Sequence, residues 1–314
     1  MLETLQPWAP WPQSLNPWMK TPSTHTSAST STSSYSTPTQ TPQIRPHSQS
    51  YFTSTPSQVT KDPSLALPRI LCLHGGGTNS RIFRSQCRAL RARLGPYFRL
   101  VFADAPFFTT PGPDVVSVYE KWGPFRAWFP PGYGMSGSPH NGPVPICEND
   151  SASQIVISSI ESSINAAMNE DNSLGATGPW IGILGFSQGA KMAASLLLRQ
   201  QINPGHGYSR AIDYRFAVLL AGRAPMVSLS LDDDMPYYGL VPATLTLPTI
   251  HVHGTKDPGL PLHRELLDYG CDEGSTRLIE WDGEHRVPIR SKDVLAVVDA
   301  ILGVARETGV LRRC

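Results

Sequence analysis

The first feature of the chain that could do chemistry is a serine framed by glycines: Ser187 stands in GFSQGA at 185–190. An apolar run, WIGILGF, leads into it from 180, and a helix-forming run, AKMAASLLL, follows from 190. Strand, G-x-S-x-G, then helix is the context that lifts a serine hydroxyl onto a tight, strained turn, with glycines where any Cβ would block close backbone approach. The start of the following helix would aim N–H groups and a positive dipole end at a developing oxyanion, and the Gln188 N–H is the first donor expected there. Such a serine becomes a nucleophile only with a base to take its proton and a carboxylate to orient that base.

Of nine histidines, five follow Ser187 in the chain. His206 lies in a Gly-rich stretch, His251 and His253 fall on an expected strand and read as satisfied structural residues, and His263 opens an expected helix. His285 alone occupies a loop directly after a C-terminal strand, in WDGEHRVP at 281–288, and is the expected general base. The orienting carboxylate should lie between Ser187 and His285 at a strand end, where HVHGTKD at 251–257 presents Asp257 after a glycine turn. Asp232, Asp233 and Asp234 form an acidic run typical of solvated surface, and Asp213 adjoins the start of a strand, the wrong end of the sheet. Asp282 and Glu284 stand too near His285 in sequence to orient it readily, and they stay open as alternatives. A second oxyanion donor is expected from the glycine-rich LCLHGGGTNS at 71–80, with Gly76 first and Gly77 next. His74 in that segment precedes the serine, whereas the base of a strand-to-helix elbow follows it; a structural role in shaping the loop is expected.

These residues need a frame. Short Val-, Ile-, Leu- and Phe-rich runs at 69–73, 99–103, 180–185, 216–220, 249–253 and 276–281 alternate with helix-like segments near 84–94, 154–168, 188–199, 263–269 and 292–306. That rhythm predicts an α/β fold with a mainly parallel central sheet and helices on both faces. The stretch 107–150 breaks it, being rich in Gly and Pro and in large aromatics (Trp122, Phe125, Trp128, Phe129, Tyr133). A lid or pocket wall over the sheet is expected there, the alternative being an insertion whose aromatics fill satellite core. Residues 1–68 are dominated in their central part by Ser, Thr and Pro, and a disordered extension is expected ahead of a single domain at 69–314.

Composition removes several classes of partner. A net charge of +1 offers no field for a polyanion, so nucleic acid is not expected. No apolar run approaches membrane-spanning length, and the proline-interrupted start lacks a secretory pattern, so a cytoplasmic protein is expected. The five cysteines (Cys72, Cys87, Cys147, Cys271, Cys314) include no CxxC pair, which points to reduced thiols rather than a zinc or redox site. No metal and no organic cofactor is implied.

Taken in order, LCLHGGGTNS at 71–80, GFSQGA at 185–190, FAVLLAG at 216–222, HVHGTKD at 251–257 and GEHRVP at 283–288 resemble the fungal-type family of serine hydrolases, the FSH domains of the α/β-hydrolase fold. The resemblance runs from about residue 69 to 302 and implies that Ser187, Asp257 and His285 form a charge-relay triad. Two positions depart from the family pattern: Gly76 replaces a commonly bulky residue, and Gly-Glu-His replaces the frequent Gly-Gly-His before the base. Members include short-to-medium-chain carboxylesterases and the esterases or thioesterases that release a polyketide acyl chain from a synthase carrier domain. The long aromatic insertion favours the second kind of substrate, a small-molecule ester or acyl thioester, which a carrier domain could present. A non-catalytic binding protein on the same fold is disfavoured because all three triad residues are present.

Overall fold

A computed structural model describes residues 62–112, 115–130, 150–203, 212–229 and 244–312. The expected disorder of residues 1–61, together with Tyr133, Cys147, His206, Asp232, Asp233, Asp234 and Cys314, lies outside the described residues.

The expected strands are found as β1 (Arg69–Leu73), β2 (Arg99–Ala103), β5 (Trp180–Phe186), β6 (Ile212–Leu220), β7 (Thr249–Gly254) and β8 (Thr276–Trp281). They form one sheet in the order β2-β1-β5-β6-β7-β8, and every neighbouring pair is parallel. The helices are α1 (Ser80–Gln86), α2 (Arg88–Leu94), α3 (Val116–Tyr119), α4 (Asp150–Ser173), α5 (Gln188–Ile202), α6 (Leu260–Gly270) and α7 (Ser291–Glu307).

Alternation along the strands divides the core into two layers. On β6, Ala217 and Leu219 point into a layer shared with α4 and α5, while Phe216, Val218 and Leu220 point into the layer of α1, α2 and α7. Both faces of the sheet are therefore covered, as buried parallel strands require. The chain runs outward from β1 to β2 and then returns to the other side of β1 with β5, so the order reverses between β1 and β5. Loops leaving the carboxyl ends of strands at such a reversal border the crevice where ligands of open α/β sheets bind.

Four differences from expectation are local. The helix expected at 84–94 is two helices, beginning at Ser80 because Asn79 caps it by accepting the Ile82 N–H at 2.8 Å. Strand β6 starts at Ile212 rather than Phe216, since Asp213 and Arg215 face solvent while Tyr214 turns inward. Within 107–130, β3 (Phe107–Thr109) and β4 (Phe125–Ala127) pair as an antiparallel ribbon, so this part of the insertion has regular structure. The packed chain also begins ahead of residue 69: Leu65 carbonyl oxygen accepts the Thr177 N–H at 2.8 Å, and Asp62 pairs with Arg99 at 3.0 Å.

Two sets of polar groups are sealed in this core. At the amino end of the sheet, Asp171 of α4 takes Arg69 at 3.3 Å and Arg99 at 2.8 Å, and Arg69 stacks over Trp180. Removing one partner of such a pair leaves a buried charge alone. Asp171→Ala should therefore lower unfolding stability by about 3 kcal/mol or more, read as a drop in the urea midpoint. Four histidines (His74, His251, His253, His263) are fully buried. Desolvation pushes His74 and His253 down to about 4 and His251 and His263 down to about 3, from 6.5. Below 6.5 the unfolded chain takes up protons that the folded chain refuses, so stability falls as pH drops from there toward 4. Thermal melts should show a midpoint that declines steadily between about pH 6.5 and 5. A midpoint flat across that window would contradict neutral burial.

Candidate active site

The turn between β5 and α5 places Ser187 at φ 54°, ψ −116°, a left-handed conformation that a side-chain-bearing residue adopts only when its surroundings force it. The flanking glycines supply the force. A Cβ on Gly185 would lie 2.2 Å from the Gly189 carbonyl oxygen, and one on Gly189 would lie 2.1 Å from that of Leu73. Ser187 N–H donates to Leu220 carbonyl oxygen at 2.8 Å, anchoring the elbow to β6.

Asp257 and His285 arrive on the loops that follow β7 and β8. Those loops are tied together: Thr255 N–H donates to Trp281 carbonyl oxygen and Lys256 N–H to Gly283 carbonyl oxygen, each at 2.9 Å. A continuous line of hydrogen bonds results, with Ser187 Oγ 2.9 Å from His285 Nε2 and His285 Nδ1 2.6 Å from Asp257 Oδ2. An ionised carboxylate can only accept, so Nδ1 carries the proton and Nε2 is left to accept from the serine hydroxyl. The Asp257 side chain is fully buried and that of His285 is 23% exposed. Burial pushes the Asp257 carboxyl upward, but the hydrogen bonds from His285 and from the Gly259 N–H at 2.7 Å, with the nearby imidazoles, outweigh it and hold the group below its usual value. The three residues singled out from the sequence thus meet at the carboxyl edge of the sheet. The alternatives do not join them: Asp282 pairs with Lys256, Glu284 with Arg286, and Asp213 with Arg215.

The two glycines considered for the oxyanion are distinguished by their hydrogen bonds. Gly77 N–H donates to Arg126 carbonyl oxygen at 2.9 Å, so its proton is already engaged. Gly76 N–H and Gln188 N–H make no such bond among the described residues, and a Cβ on Gly76 would come within 3.2 Å of the Gln188 side chain. The loop carrying Gly76 is held from several sides. Buried His74 accepts the Ala105 N–H through Nε2 at 3.0 Å, which leaves Nδ1 to donate to Gly75 carbonyl oxygen at 2.8 Å.

The aromatic residues expected to wall a pocket divide into two groups. Trp128 and Phe129 are buried in the core layer of α4 and α5. Trp128 also bridges the site loops, its indole N–H donating to His74 carbonyl oxygen at 2.8 Å and its backbone N–H to Gln188 Oε1 at 2.7 Å. Trp122 and Phe125 are half-buried, with Arg81 stacked on the Trp122 ring at 4.2 Å. A depression of about 650 Å³ lies along edge strand β2, lined among others by Arg84, Arg91 and Asp171, and none of the three site residues lines it.

His263 was read from the sequence as no more than a helix-opening residue. The structure places its Nε2 3.8 Å from Asp257 Oδ2, and no pattern of spacing pointed to that. His251 and His253 are buried on β7, yet they are not satisfied, since His251 Nδ1 and both ring nitrogens of His253 lack a hydrogen-bond partner among the described residues. Ligand atoms of Asp257, His263 and His285 lie within 4.8 Å of one another. The 2.6 Å hydrogen bond already fills the space between two of them, so an ion there would displace the proton that orients His285.

A family model described as serine hydrolase (FSH1) matches residues 64–297. The chain is 50% identical over 259 residues to the probable esterase azaC of Aspergillus niger, covering 82% of this chain and 92% of that protein. It is 49% identical over 275 residues to the esterase pigG of Monascus ruber, covering 80% of this chain and 96% of that protein. Among solved structures it is similar to SOBER1 of Arabidopsis thaliana, at 18% identity and a TM-score of 0.46 over 76% of this chain and 99% of that one. With a serine hydrolase model spanning the sheet from before β1 into α7, and relatives of this identity along most of the chain, the protein belongs to the FSH1 family of serine hydrolases.

Proposed function

We propose that the protein is a serine esterase or thioesterase in which Ser187, His285 and Asp257 carry out two-step acyl transfer. His285 Nε2 takes the Ser187 hydroxyl proton as the oxygen attacks an ester or thioester carbonyl. The tetrahedral oxyanion is held by the Gln188 N–H, with the Gly76 N–H as the second donor. Collapse expels the alcohol or thiol, which takes the proton back from His285, and leaves an acyl-serine. Water then attacks, giving its proton to His285, and collapse of the second tetrahedral intermediate releases the acid as Ser187 Oγ leaves and takes that proton back from His285. The observation that carries this reading is the unbroken hydrogen-bond line from Ser187 through His285 to Asp257.

The substrate is a small-molecule ester or acyl thioester, and the reaction is the release of a polyketide-type product from a synthase carrier domain. The ester part of this reading is supported by relatives named esterases in fungi, among them pigG and citA of Monascus ruber; release from a carrier domain extends the family resemblance carried by the sequence motifs. No helix among the described residues is long and apolar enough to cross a membrane. The unbridged thiols of Cys72, Cys87 and Cys271 support a reducing, cytoplasmic setting.

Ser187→Ala should abolish turnover of an activated aryl ester while leaving the far-ultraviolet circular dichroism unchanged; full activity in that variant would end the assignment. Asp257→Asn should lower kcat by about ten-thousand-fold through the wrong histidine tautomer. A panel of aryl esters and long acyl thioesters tests the substrate, and strict preference for acetyl esters would replace the polyketide reading with that of a general carboxylesterase.

A further inference from the structure

A row of imidazoles runs inward from His285. Its ring lies 6.2 Å from that of His263, which lies 5.4 Å from that of His253, which in turn lies 5.9 Å from that of His251. Of these, His263 touches the Asp257 carboxylate, at 3.8 Å from Nε2 to Oδ2, and both groups are completely removed from solvent. Neither ring nitrogen of His263 makes a hydrogen bond among the described residues. A buried polar atom without a partner destabilises a fold, and an apolar side chain of similar size would avoid that cost. The imidazole therefore requires an explanation that packing does not supply.

The carboxylate supplies one. Asp257 Oδ1 receives the Gly259 N–H and Oδ2 receives the His285 Nδ1–H. The carboxylate is closed to solvent, and His263 Nε2 stands 3.8 Å from Oδ2. At 3.8 Å this is too long for a ground-state hydrogen bond, yet close enough for an N–H dipole to hold a carboxylate in a low-dielectric interior. Catalytic contacts of this kind commonly tighten only as charge develops. We propose that His263 is a positioning residue: its neutral, Nε2-protonated ring fixes the Asp257 carboxylate so that Oδ2 stays turned toward His285 Nδ1 as the imidazolium forms. The proposal rests on the roles given above to Ser187, His285 and Asp257.

Neutrality is essential, because a charged His263 would compete with His285 for the same oxygen. The surroundings enforce it. Burial lowers His263 to about 3, opposed by the Asp257 charge and reinforced by His253 on β7, Arg223 after β6 and His285 after β8. On its own helix Arg264 and Asp268 are exposed and Glu265 is half-buried. The Arg223 guanidinium lies against Gly259, where a Cβ would meet it at 2.7 Å, so a cation flanks the same turn that holds Asp257.

The test compares the full-length parent with His263→Leu, His263→Asn and His263→Gln on an activated aryl ester. Glutamine places an amide N–H near the position of Nε2; asparagine is too short to do so. Leucine and asparagine should lose about tenfold or more in kcat, the scale of a hydrogen bond to a charged group, with KM within about twofold. With one fewer dipole on the carboxylate, negative charge concentrates on Oδ2, and the acid limb of the kcat/KM profile should move to higher pH. Glutamine should recover kcat to within about threefold of the parent and return the limb. Parental kcat and an unmoved limb in leucine or asparagine would overturn the proposal. So would an equal loss in all three variants with no change in the limb, which is the outcome of a packing role. If His263→Leu fails to fold by thermal melt, the asparagine and glutamine pair decides. Labelling of parent Ser187 by a fluorophosphonate, absent in Ser187→Ala, tests the underlying mechanism separately: no labelling defeats that mechanism, whereas normal labelling with indifferent His263 variants defeats this proposal alone.

Discussion

A carboxylate sealed from water is the constraint on which the arrangement of this site depends. Burying an ionised group costs several kcal/mol unless donors surround it, and the Asp257 side chain has no exposure at all. Its donors come from the turn of Gly259 and from His285, which belong to different loops. Those loops can keep the charge satisfied only if the carboxyl ends of β7 and β8 stay in register. The parallel pairing from Thr249 opposite Thr276 to Gly254 opposite Trp281, continued by the backbone bonds of Thr255 and Lys256, enforces this. The pairing of two edge-side strands is thus what aims an imidazole at a serine three strands away.

The serine is held against its own conformational preference. A positive φ at a residue with a side chain costs about 1–3 kcal/mol, and the elbow persists because Gly185 and Gly189 let the start of α5 press against the end of β1. That same contact brings the 74–78 loop beside the helix N-terminus, so one steric choice places both the proposed nucleophile and its proposed oxyanion donors. Trp128 completes the arrangement from a distant part of the chain by joining His74 to Gln188. An aromatic that reads in sequence as pocket lining is, in the fold, a brace between the two loops.

What could be read from the sequence was whatever depends on local pattern. The six strands of the sheet, the elbow at Ser187 and the loops of Asp257 and His285 each carry a short-range signature of apolar runs ended by turn residues, glycine in most cases and Asp-Ala-Pro after β2. Signals that local pattern does not carry were lost. Asn79 is an N-cap whose value depends on a helix starting four residues earlier than the apolar periodicity suggested, and Ile212 to Arg215 alternates inward and outward across charged residues. The engagement of Gly77 N–H depends on Arg126, nearly fifty positions away, and no composition of the glycine loop could reveal it. His263 was invisible for the same reason. Its significance is a distance to Asp257 set by how α6 leaves its turn, and one histidine near a helix start carries no periodic mark.

The two ends of the sheet treat their buried polar groups in opposite ways. At the amino end Asp171 is met by Arg69 and Arg99, and Arg69 further donates to Gly178 carbonyl oxygen at 2.6 Å and to Asn172 Oδ1 at 2.5 Å. Charge there is matched by charge, and the cluster clamps α4 to the sheet. At the carboxyl end the ring nitrogens of His253 and His263 and the Nε of Arg223 are buried without hydrogen-bond partners among the described residues. A sequence selected only for stability would have replaced such groups with apolar ones, because each carries a desolvation cost. Their retention around Asp257 fits the general pattern in which local rules of polar satisfaction are broken where function needs an unneutralised field. Neutral imidazoles are suited to that place: they line the carboxylate with orientable dipoles, yet bring no full positive charge to compete with the one that the proposed mechanism forms on His285.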